Sequence, residues 1–252
     1  MRYKKEQMNC TRGDLAIHCV RYEPEDGKNS HPTVILSHEF GGNTHTLRRY
    51  AMEYVDRGYL AVSFDFCGSG SGKSEGDSRR MSVVTERDDL EAVMAQTLAL
   101  PQVDKSRVVL AGGSQGGFVA AMAAARHPRE VSALVLYYPA FCIPDNVLTG
   151  TVRGRPINFH RETAHFNLWG VDLGARYMSD AKMVDLERDI YSYPGPVLIC
   201  HGTDDVLVDI SYARDARREY PNARLVEIPG GDHCFTKTGF ETAIKATFQF
   251  LR

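Results

Sequence analysis

The chain has 252 residues, of which 43% are hydrophobic and 25% charged, and its formal net charge is −2. These values are ordinary for a globular protein with one large α/β domain or two small ones, and they give no reason to expect a nucleic-acid or anionic-membrane partner. No apolar run approaches the roughly 18 residues that span a bilayer, and the polar N-terminus lacks the apolar region of a signal peptide.

The apolar runs predict strands and helices that alternate along most of the chain. Strands are predicted at residues 14–22, 33–37, 59–64, 108–111, 131–138, 197–200 and 224–228. Helices are predicted at residues 47–57, 82–100, 210–220 and 240–251, with another that follows residue 117 and ends near His127. This alternation predicts an α/β fold, with a mostly parallel central sheet covered by helices on both faces.

The alternation stops between residues 139 and 194, where prolines and scattered aromatic residues show no clear period. We interpret this stretch as an insertion over the C-terminal edge of the sheet, where α/β sheets bind ligands. The predicted organisation is therefore a single domain over residues 1–252, with a small lid at about 140–193.

A glycine- and serine-rich turn follows the third predicted strand and ends in Gly72-Lys73-Ser74, like a phosphate-binding loop. That motif needs a glycine five residues before its Gly-Lys pair, and Cys67 stands there. We interpret the run as a turn and expect no nucleotide.

The next predicted strand leads into Gly112-Gly113-Ser114-Gln115-Gly116, and an alanine-rich helix follows. Gly-x-Ser-x-Gly between a strand and a helix is typical of a nucleophile elbow, in which a strained turn exposes the serine hydroxyl. The glycines two residues before and after Ser114 are needed because a side chain there would collide with neighbouring backbone.

A serine nucleophile needs a base, and the base needs a carboxylate to orient it. His233 is the candidate base because it lies in a glycine-bearing loop after the last predicted strand. The acid is expected in the loop after the preceding strand, where Asp204 and Asp205 compete, and Asp232 is a third candidate.

An acyl-transfer site also needs two backbone N–H groups to bind the oxyanion. We expect one from Gln115, directly after the serine, and the other from the loop that begins at His38, with Phe40 as its donor. The Phe40 ring could also form a wall of the acyl pocket.

The lid region offers little for other chemistry. His160 and His165 are five residues apart and do not share a helical face, so no metal site is expected. Arg153, Arg155 and Arg161 could attract an anionic substrate, but a solvated lid surface is the favoured interpretation.

Together these motifs resemble the α/β-hydrolase superfamily, and within it the small bacterial cinnamoyl (feruloyl) esterases. The matching stretches are HEFGG, FDFCGSG, GGSQGG, YPA, HGTDDVLV and GGDHCF. The resemblance implies hydrolysis of hydroxycinnamate esters without a cofactor. It also implies that Ser114, Asp205 and His233 form a catalytic triad, and that Phe40 and Gln115 form the oxyanion hole.

The resemblance also extends to the lid and exposes one departure. Asp145 and Tyr177 stand where lid residues that hydrogen-bond a phenolic hydroxyl are expected. The oxyanion loop usually reads His-Gly-Phe in this family, but Glu39 replaces the glycine here. Its carboxylate would either disfavour negative charge in the transition state or point away.

The sequence therefore predicts a serine carboxylesterase acting on hydroxycinnamate esters. The alternatives are a short-chain acyl esterase, a peptidase of the prolyl-oligopeptidase type and a binding protein with an idle serine. We expect a small-molecule ester as partner, neither nucleic acid nor membrane, no cofactor and no metal. The scattered cysteines favour reduced thiols in the cytoplasm, and a homodimer stays open.

Overall fold

The computed structural model describes residues 2–152, 155–157, 165–236 and 238–252. The strands are β1 (Tyr3–Arg12), β2 (Leu15–Pro24), β3 (His31–Ser37), β4 (Leu60–Phe64), β5 (Val103–Gly113), β6 (Ala133–Tyr137), β7 (Thr151–Val152), β8 (Arg155–Pro156), β9 (His165–Leu168), β10 (Val171–Gly174), β11 (Val197–Gly202) and β12 (Ala223–Ile228). The helices are α1 (Arg48–Val55), α2 (Val83–Leu98), α3 (Gln115–Arg126), α4 (Ile143–Thr149), α5 (Ala175–Met183), α6 (Ile210–Glu219) and α7 (Phe240–Phe250).

Eight of these strands form one sheet in the order β1-β2-β4-β3-β5-β6-β11-β12. Strand β2 pairs antiparallel with both β1 and β4. The other six strands of this sheet, β4, β3, β5, β6, β11 and β12, run parallel to one another. The predicted fold class, a mostly parallel sheet with helices, is confirmed. Strand β1 was not predicted, because half of its side chains are exposed and it contains no apolar run.

Two hydrophobic layers cover the sheet and explain why its central strands are apolar on both faces. On β3, Ile35 packs into one layer, while Val34 and Leu36 pack into the other. Helices α2 and α3 belong to the first layer, and helices α1 and α7 belong to the second. A strand buried on both sides has no polar face, so its sequence reads as a continuous apolar run.

The chain between β6 and β11 contains α4, two short hairpins (β7–β8 and β9–β10), α5 and a π-helical turn at Glu187–Tyr191. This stretch corresponds to the predicted lid at 140–193, and its described part carries more regular structure than the sequence pattern indicated. The single-domain organisation with a lid stays a prediction.

The topology gathers five loops at one edge of the sheet. Strands β3, β4, β5, β11 and β12 are parallel, so their carboxyl ends lie at the same edge. The segments that follow these ends carry the candidate oxyanion loop, the Gly-Ser-rich turn, Ser114, Asp205 and His233, respectively.

Candidate active site

Ser114 sits on a strained turn between β5 and α3. Its backbone has φ 51° and ψ −121°, outside the regions that residues with a side chain usually adopt. A Cβ atom on Gly112 would lie 2.4 Å from the carbonyl O of Gly116, and one on Gly116 would lie 2.2 Å from the carbonyl O of Ser37. The two glycines are therefore required by close backbone contacts, and the turn they permit holds the serine at the end of β5.

A chain of two hydrogen bonds leads from this serine into the protein. The Oγ of Ser114 lies 2.9 Å from Nε2 of His233, and Nδ1 of the same ring lies 2.7 Å from Oδ2 of Asp205. The Asp205 carboxylate is fully buried, and Ser114 is 9% exposed. The structure thus brings the predicted nucleophile, base and acid together in the order that nucleophilic catalysis needs.

The Asp205 carboxylate is held in its ionised form. Its Oδ1 accepts hydrogen bonds from the backbone N–H groups of Leu207 (2.8 Å) and Val208 (3.0 Å). Burial raises the pKa of Asp205, but hydrogen bonds from His201, His233 and the Val208 N–H outweigh burial and keep this pKa well below its usual range. The charged carboxylate at this place orients the His233 ring, with Nδ1 towards Asp205 and Nε2 towards Ser114.

The two competing aspartates have other partners. Asp204 is exposed, and its carboxylate accepts a hydrogen bond from the Thr203 hydroxyl at 3.0 Å. The Asp232 carboxylate accepts a hydrogen bond from the Thr236 hydroxyl. Of the three, Asp205 is the aspartate whose carboxylate is hydrogen-bonded to the imidazole ring of His233.

The two predicted oxyanion donors, Phe40 and Gln115, line the same cleft as Ser114. Within the part of the chain that the structure describes, neither backbone N–H is hydrogen-bonded to another protein atom. Gln115 is also the first residue of the 12-residue helix α3, whose N-terminus attracts negative charge. Both N–H groups are thus available to a ligand oxygen in the cleft.

The Gly-Ser-rich turn after β4 holds the loop that carries Phe40. The Ser71 hydroxyl lies 2.8 Å from the carbonyl O of Gly41 and 2.7 Å from that of Gly42. Asp65, at the end of β4, accepts a hydrogen bond from the backbone N–H of Thr44 at 2.6 Å. The run that resembles a phosphate-binding loop is therefore a clamp on the neighbouring loop, a role that the sequence did not reveal.

We expect Ser71→Ala to lower kcat of the ester hydrolysis proposed below by several-fold, because the loop that carries one oxyanion donor loses its hydrogen bonds. The measurement is steady-state hydrolysis of p-nitrophenyl butyrate. Ser106→Ala is the control, since Ser106 is exposed on β5 and its hydroxyl, among the described residues, bonds Asp104 two positions away. Equal kcat values for the two variants would contradict the clamp.

Glu39 does not extend freely into solvent. Its backbone carbonyl accepts hydrogen bonds from Nδ1 of His38 and from the N–H of Gly42, both at 2.8 Å. Its Oε2 is buried and has no hydrogen-bond partner among the described residues. Burial, and next the Glu39 charge, raise the pKa of Cys234 to about 12. The carboxylate therefore lies near the segment that carries His233, and both alternatives raised by the sequence stay open.

The cleft above Ser114 has a free volume of about 670 Å³, part of it open to solvent. Besides Ser114, Gln115 and His233, its described lining is mainly aromatic and aliphatic: Phe40, Ala140, Cys142, Ile143, Asn146, Val147, Val152, Ile157, Phe166, Leu168, Trp169, Tyr177, Leu207 and Val208. No Asp, Glu, Lys or Arg occurs in this described lining. The cleft thus suits a neutral, largely apolar group.

Of the two lid residues suggested by resemblance, one lies in the cleft and one does not. Tyr177 lines the cleft and is 5% exposed, and its hydroxyl donates a hydrogen bond to Oε1 of Gln115 at 2.6 Å. Asp145 is exposed, and its carboxylate accepts a hydrogen bond from the Tyr212 hydroxyl at 2.8 Å. Its neighbour Asn146 lines the cleft instead, because successive residues of a helix point about 100° apart.

A buried acid, Glu86, also belongs to this region and was not predicted. Helix α2 begins at a capping box in which the Ser82 and Thr85 side chains bond each other's backbone N–H groups, and Glu86 follows directly. Its Oε2 accepts a hydrogen bond from Nε2 of Gln115 at 2.7 Å. The sequence did hold a signal, since Glu86 lies three residues after Val83 and four before Leu90, on the apolar stripe of the helix.

Glu86 should make the stability of the protein depend on pH. Burial raises the pKa of Glu86 to about 8, so between about 4.5 and about 8 the unfolded chain has lost this proton and the folded chain keeps it. This contribution to the free energy of unfolding is complete at low pH and is lost as pH rises through that window. We expect Glu86→Gln to remove the loss, so that Tm of the variant relative to the wild type increases from pH 5 to pH 8. A constant difference in Tm would contradict it.

The sequence also raised histidine and arginine candidates in the lid. His160, Arg153 and Arg161 lie outside the described residues, as does the side chain of Arg155. The described residues contain no group of three or more His, Cys, Asp or Glu that could hold a metal ion.

Among the described helices, none is long and apolar enough to span a membrane. All six cysteines are free thiols, and five are buried.

Comparisons with known proteins agree with this architecture. A sequence model of the family described as Hydrolase_4, serine aminopeptidase S33, matches residues 28–165. WAV2, an α/β-hydrolase domain-containing protein of Arabidopsis thaliana, is 28% identical over 229 residues, which span 87% of this chain and 70% of WAV2. The quorum-quenching protein AidA of Acinetobacter baumannii is 32% identical over 88 residues, only 34% of this chain and 28% of AidA.

Among solved structures, Est1E from Butyrivibrio proteoclasticus with bound ferulic acid superposes on this chain with a TM-score of 0.88. The two sequences are 25% identical, and the superposition covers 97% of each chain. The predicted resemblance to an α/β-hydrolase esterase of the bacterial feruloyl type is confirmed.

Proposed function

The chain belongs to the Hydrolase_4 (serine aminopeptidase, S33) family of hydrolases, and from this premise we propose that it is a serine carboxylesterase. The observation that carries the proposal is the hydrogen-bond chain from Ser114 through His233 to the buried Asp205. A serine hydroxyl is a weak nucleophile, and a neighbouring base oriented by a carboxylate activates it.

The proposed reaction is acyl transfer in two steps. His233 takes the proton of Ser114 through Nε2 while Oγ attacks the ester carbonyl carbon, and the charged Asp205 stabilises the resulting imidazolium. The oxyanion accepts hydrogen bonds from the backbone N–H groups of Phe40 and Gln115. The tetrahedral intermediate then breaks its C–O bond, and the leaving alcohol takes the proton from His233. Water then attacks the acyl carbon while the same ring takes its proton, and the ring returns this proton to Oγ of Ser114 as the acyl–Oγ bond breaks and the acid leaves.

The cleft supports an aromatic acyl group as the substrate part that enters it. The Phe40 ring meets the rings of Trp169 and Tyr177 edge to face, with centroids 5.8 and 6.3 Å apart. Edge-to-face arrangements of this kind suit a further planar ring. Est1E, which superposes over 97% of its chain, was solved with ferulic acid bound. We therefore propose hydroxycinnamate esters as the substrate class, with short-chain acyl esters as the alternative.

The family description names an aminopeptidase, which makes peptide cleavage the main competing activity. An aminopeptidase must bind the free α-ammonium group of its substrate, and a carboxylate is the side chain that pairs with this charge. The described lining of the cleft contains no carboxylate, and Asp205 lies behind His233, outside that lining. The chemistry of the described lining favours a neutral ester over a charged peptide N-terminus.

A substrate panel tests the proposal. The wild-type protein is assayed with methyl ferulate, p-nitrophenyl butyrate and alanine p-nitroanilide. We expect the highest kcat/KM for methyl ferulate and no cleavage of the anilide. Turnover of p-nitrophenyl butyrate alone would favour short-chain esters as the substrate class. Cleavage of alanine p-nitroanilide alone would support the peptidase.

A further inference from the structure

A carboxyl group that the mechanism above does not use lies buried behind the oxyanion donor Gln115. Glu86 is 2% exposed, and its Oε2 accepts a hydrogen bond from Nε2 of Gln115 at 2.7 Å. Oε1 of the Gln115 side-chain amide accepts a hydrogen bond from the Tyr177 hydroxyl at 2.6 Å. One chain of hydrogen bonds therefore connects α2, the first residue of α3 and the lid helix α5.

The hydrogen bonds of this chain run in one direction. Tyr177 donates to the oxygen of the Gln115 amide, which faces the lid helix. The NH₂ group of the amide faces α2, where Glu86 accepts its hydrogen bond. With both ends of the amide engaged, the Gln115 side chain has one orientation, and its backbone is anchored beside Ser114.

Packing alone does not explain a glutamate at this place. A buried carboxyl group costs free energy that an apolar side chain of similar size would not, unless hydrogen bonds compensate. The apolar stripe of α2 on either side, at Val83 and Leu90, shows which residue type packing favours here. The hydrogen bond to Gln115 distinguishes Glu86 from those neighbours.

We propose that Glu86 is a positioning residue of the oxyanion hole, which anchors Gln115 through its side chain and couples it to the lid residue Tyr177. The inference rests on the proposed function, since it concerns the same hole. Glu86 acts through Gln115 and does not touch the substrate. Loss of one oxyanion donor lowers kcat by about 10²–10³-fold, so a displaced donor should lose a substantial part of that factor.

The ionisation of Glu86 gives the proposal a signature in the pH profile. The Glu86 carboxyl group faces Gln115 of α3 and Tyr177 of α5. Along its own helix it faces Asp89, which pairs with Arg12 of β1. Strands β2 and β5 contribute hydrophobic side chains to this layer. Burial raises the pKa of Glu86 to about 8, so a negative charge forms behind the hole above that pH. That charge repels the oxyanion, and kcat should fall.

The test compares Glu86→Leu, Glu86→Gln and the control Asp89→Asn. Asp89 is another buried acid of α2, but it bonds Arg12 and the N–H of Cys67, away from the cleft. Hydrolysis of p-nitrophenyl butyrate is measured from pH 6 to pH 10 and divided by the active sites that a fluorophosphonate titrates. We expect Glu86→Leu to lower kcat per site by about tenfold or more with little change in KM.

Glu86→Gln should restore most of that loss, since its amide oxygen can accept the bond from Gln115, and it should abolish the fall of kcat above pH 8. Asp89→Asn should keep the wild-type kcat per site. A Glu86→Leu variant with fewer titratable sites but unchanged kcat per site would overturn the proposal, since its role would be structural. If that variant does not fold, an alkaline fall that persists in Glu86→Gln overturns it. A wild-type protein without titratable sites would instead refute the proposed function.

Discussion

Ser114→Ala should reduce the turnover of methyl ferulate by on the order of 10⁶-fold, because Ser114, His233 and Asp205 act as one unit and the remaining residues cannot replace the nucleophile. The variant should fold, since alanine meets the same backbone strain at φ 51° as serine does. The measurement is kcat in a stopped assay sensitive enough to detect slow residual hydrolysis.

Ser63→Ala is the matched control for that variant. Ser63 is buried in β4, and its hydroxyl has no hydrogen-bond partner among the described residues. We expect this control to retain the wild-type kcat within about twofold, as removal of an unpaired hydroxyl leaves no partner unsatisfied. A decrease in kcat of less than tenfold in Ser114→Ala would exclude Ser114 as the nucleophile.

Asp205→Asn should lower kcat by about 10⁴-fold while leaving KM almost unchanged. The NH₂ group of asparagine can donate to Nδ1 of His233, which then keeps its proton on Nε2 and cannot accept the proton of Ser114. The measurement is the steady-state rate with methyl ferulate near neutral pH, where the Asp205 carboxylate is ionised because its pKa is well below the usual range.

The neighbouring aspartate provides a close control for this prediction. Asp204→Asn changes an exposed carboxylate that bonds Thr203, so its activity should match the wild type. A large loss in Asp204→Asn together with a small one in Asp205→Asn would assign the acid to the other aspartate. Asp232→Asn should likewise have little effect, since that carboxylate bonds Thr236.

Much of the fold could be predicted because its central strands are buried on both faces and its turns carry glycine. Strands β3, β4 and β6 contain apolar runs and are almost entirely buried, and they lie in the sheet as expected. The edge strand β1 was not predicted because half of its side chains are exposed and it has no apolar run, and its pairing with β2 determines its structure. Pairing between distant segments leaves no local pattern that a sequence can show.

In the candidate site, too, some residues could be predicted from the sequence and others depend on packing. Ser114 and His233 could be located because chemistry demands their residue types in loops of stated order, and the structure places them 2.9 Å apart. The contacts of Asp145, Asn146 and Glu86 depend on which way a helix is rotated against its neighbours. That rotation is fixed by packing across the whole cleft, so one residue of error in α4 exchanged a solvent-facing acid for a cleft-lining amide.

Covalent labelling shows whether Ser114 is the nucleophile. The wild-type protein and Ser114→Ala are treated with a fluorophosphonate, and each is analysed by intact mass and by peptide mapping. We predict one adduct per chain in the wild type, on Ser114, and none in the variant. A wild-type protein that stays unlabelled, or an adduct on another residue that persists in Ser114→Ala, would exclude Ser114 as the nucleophile.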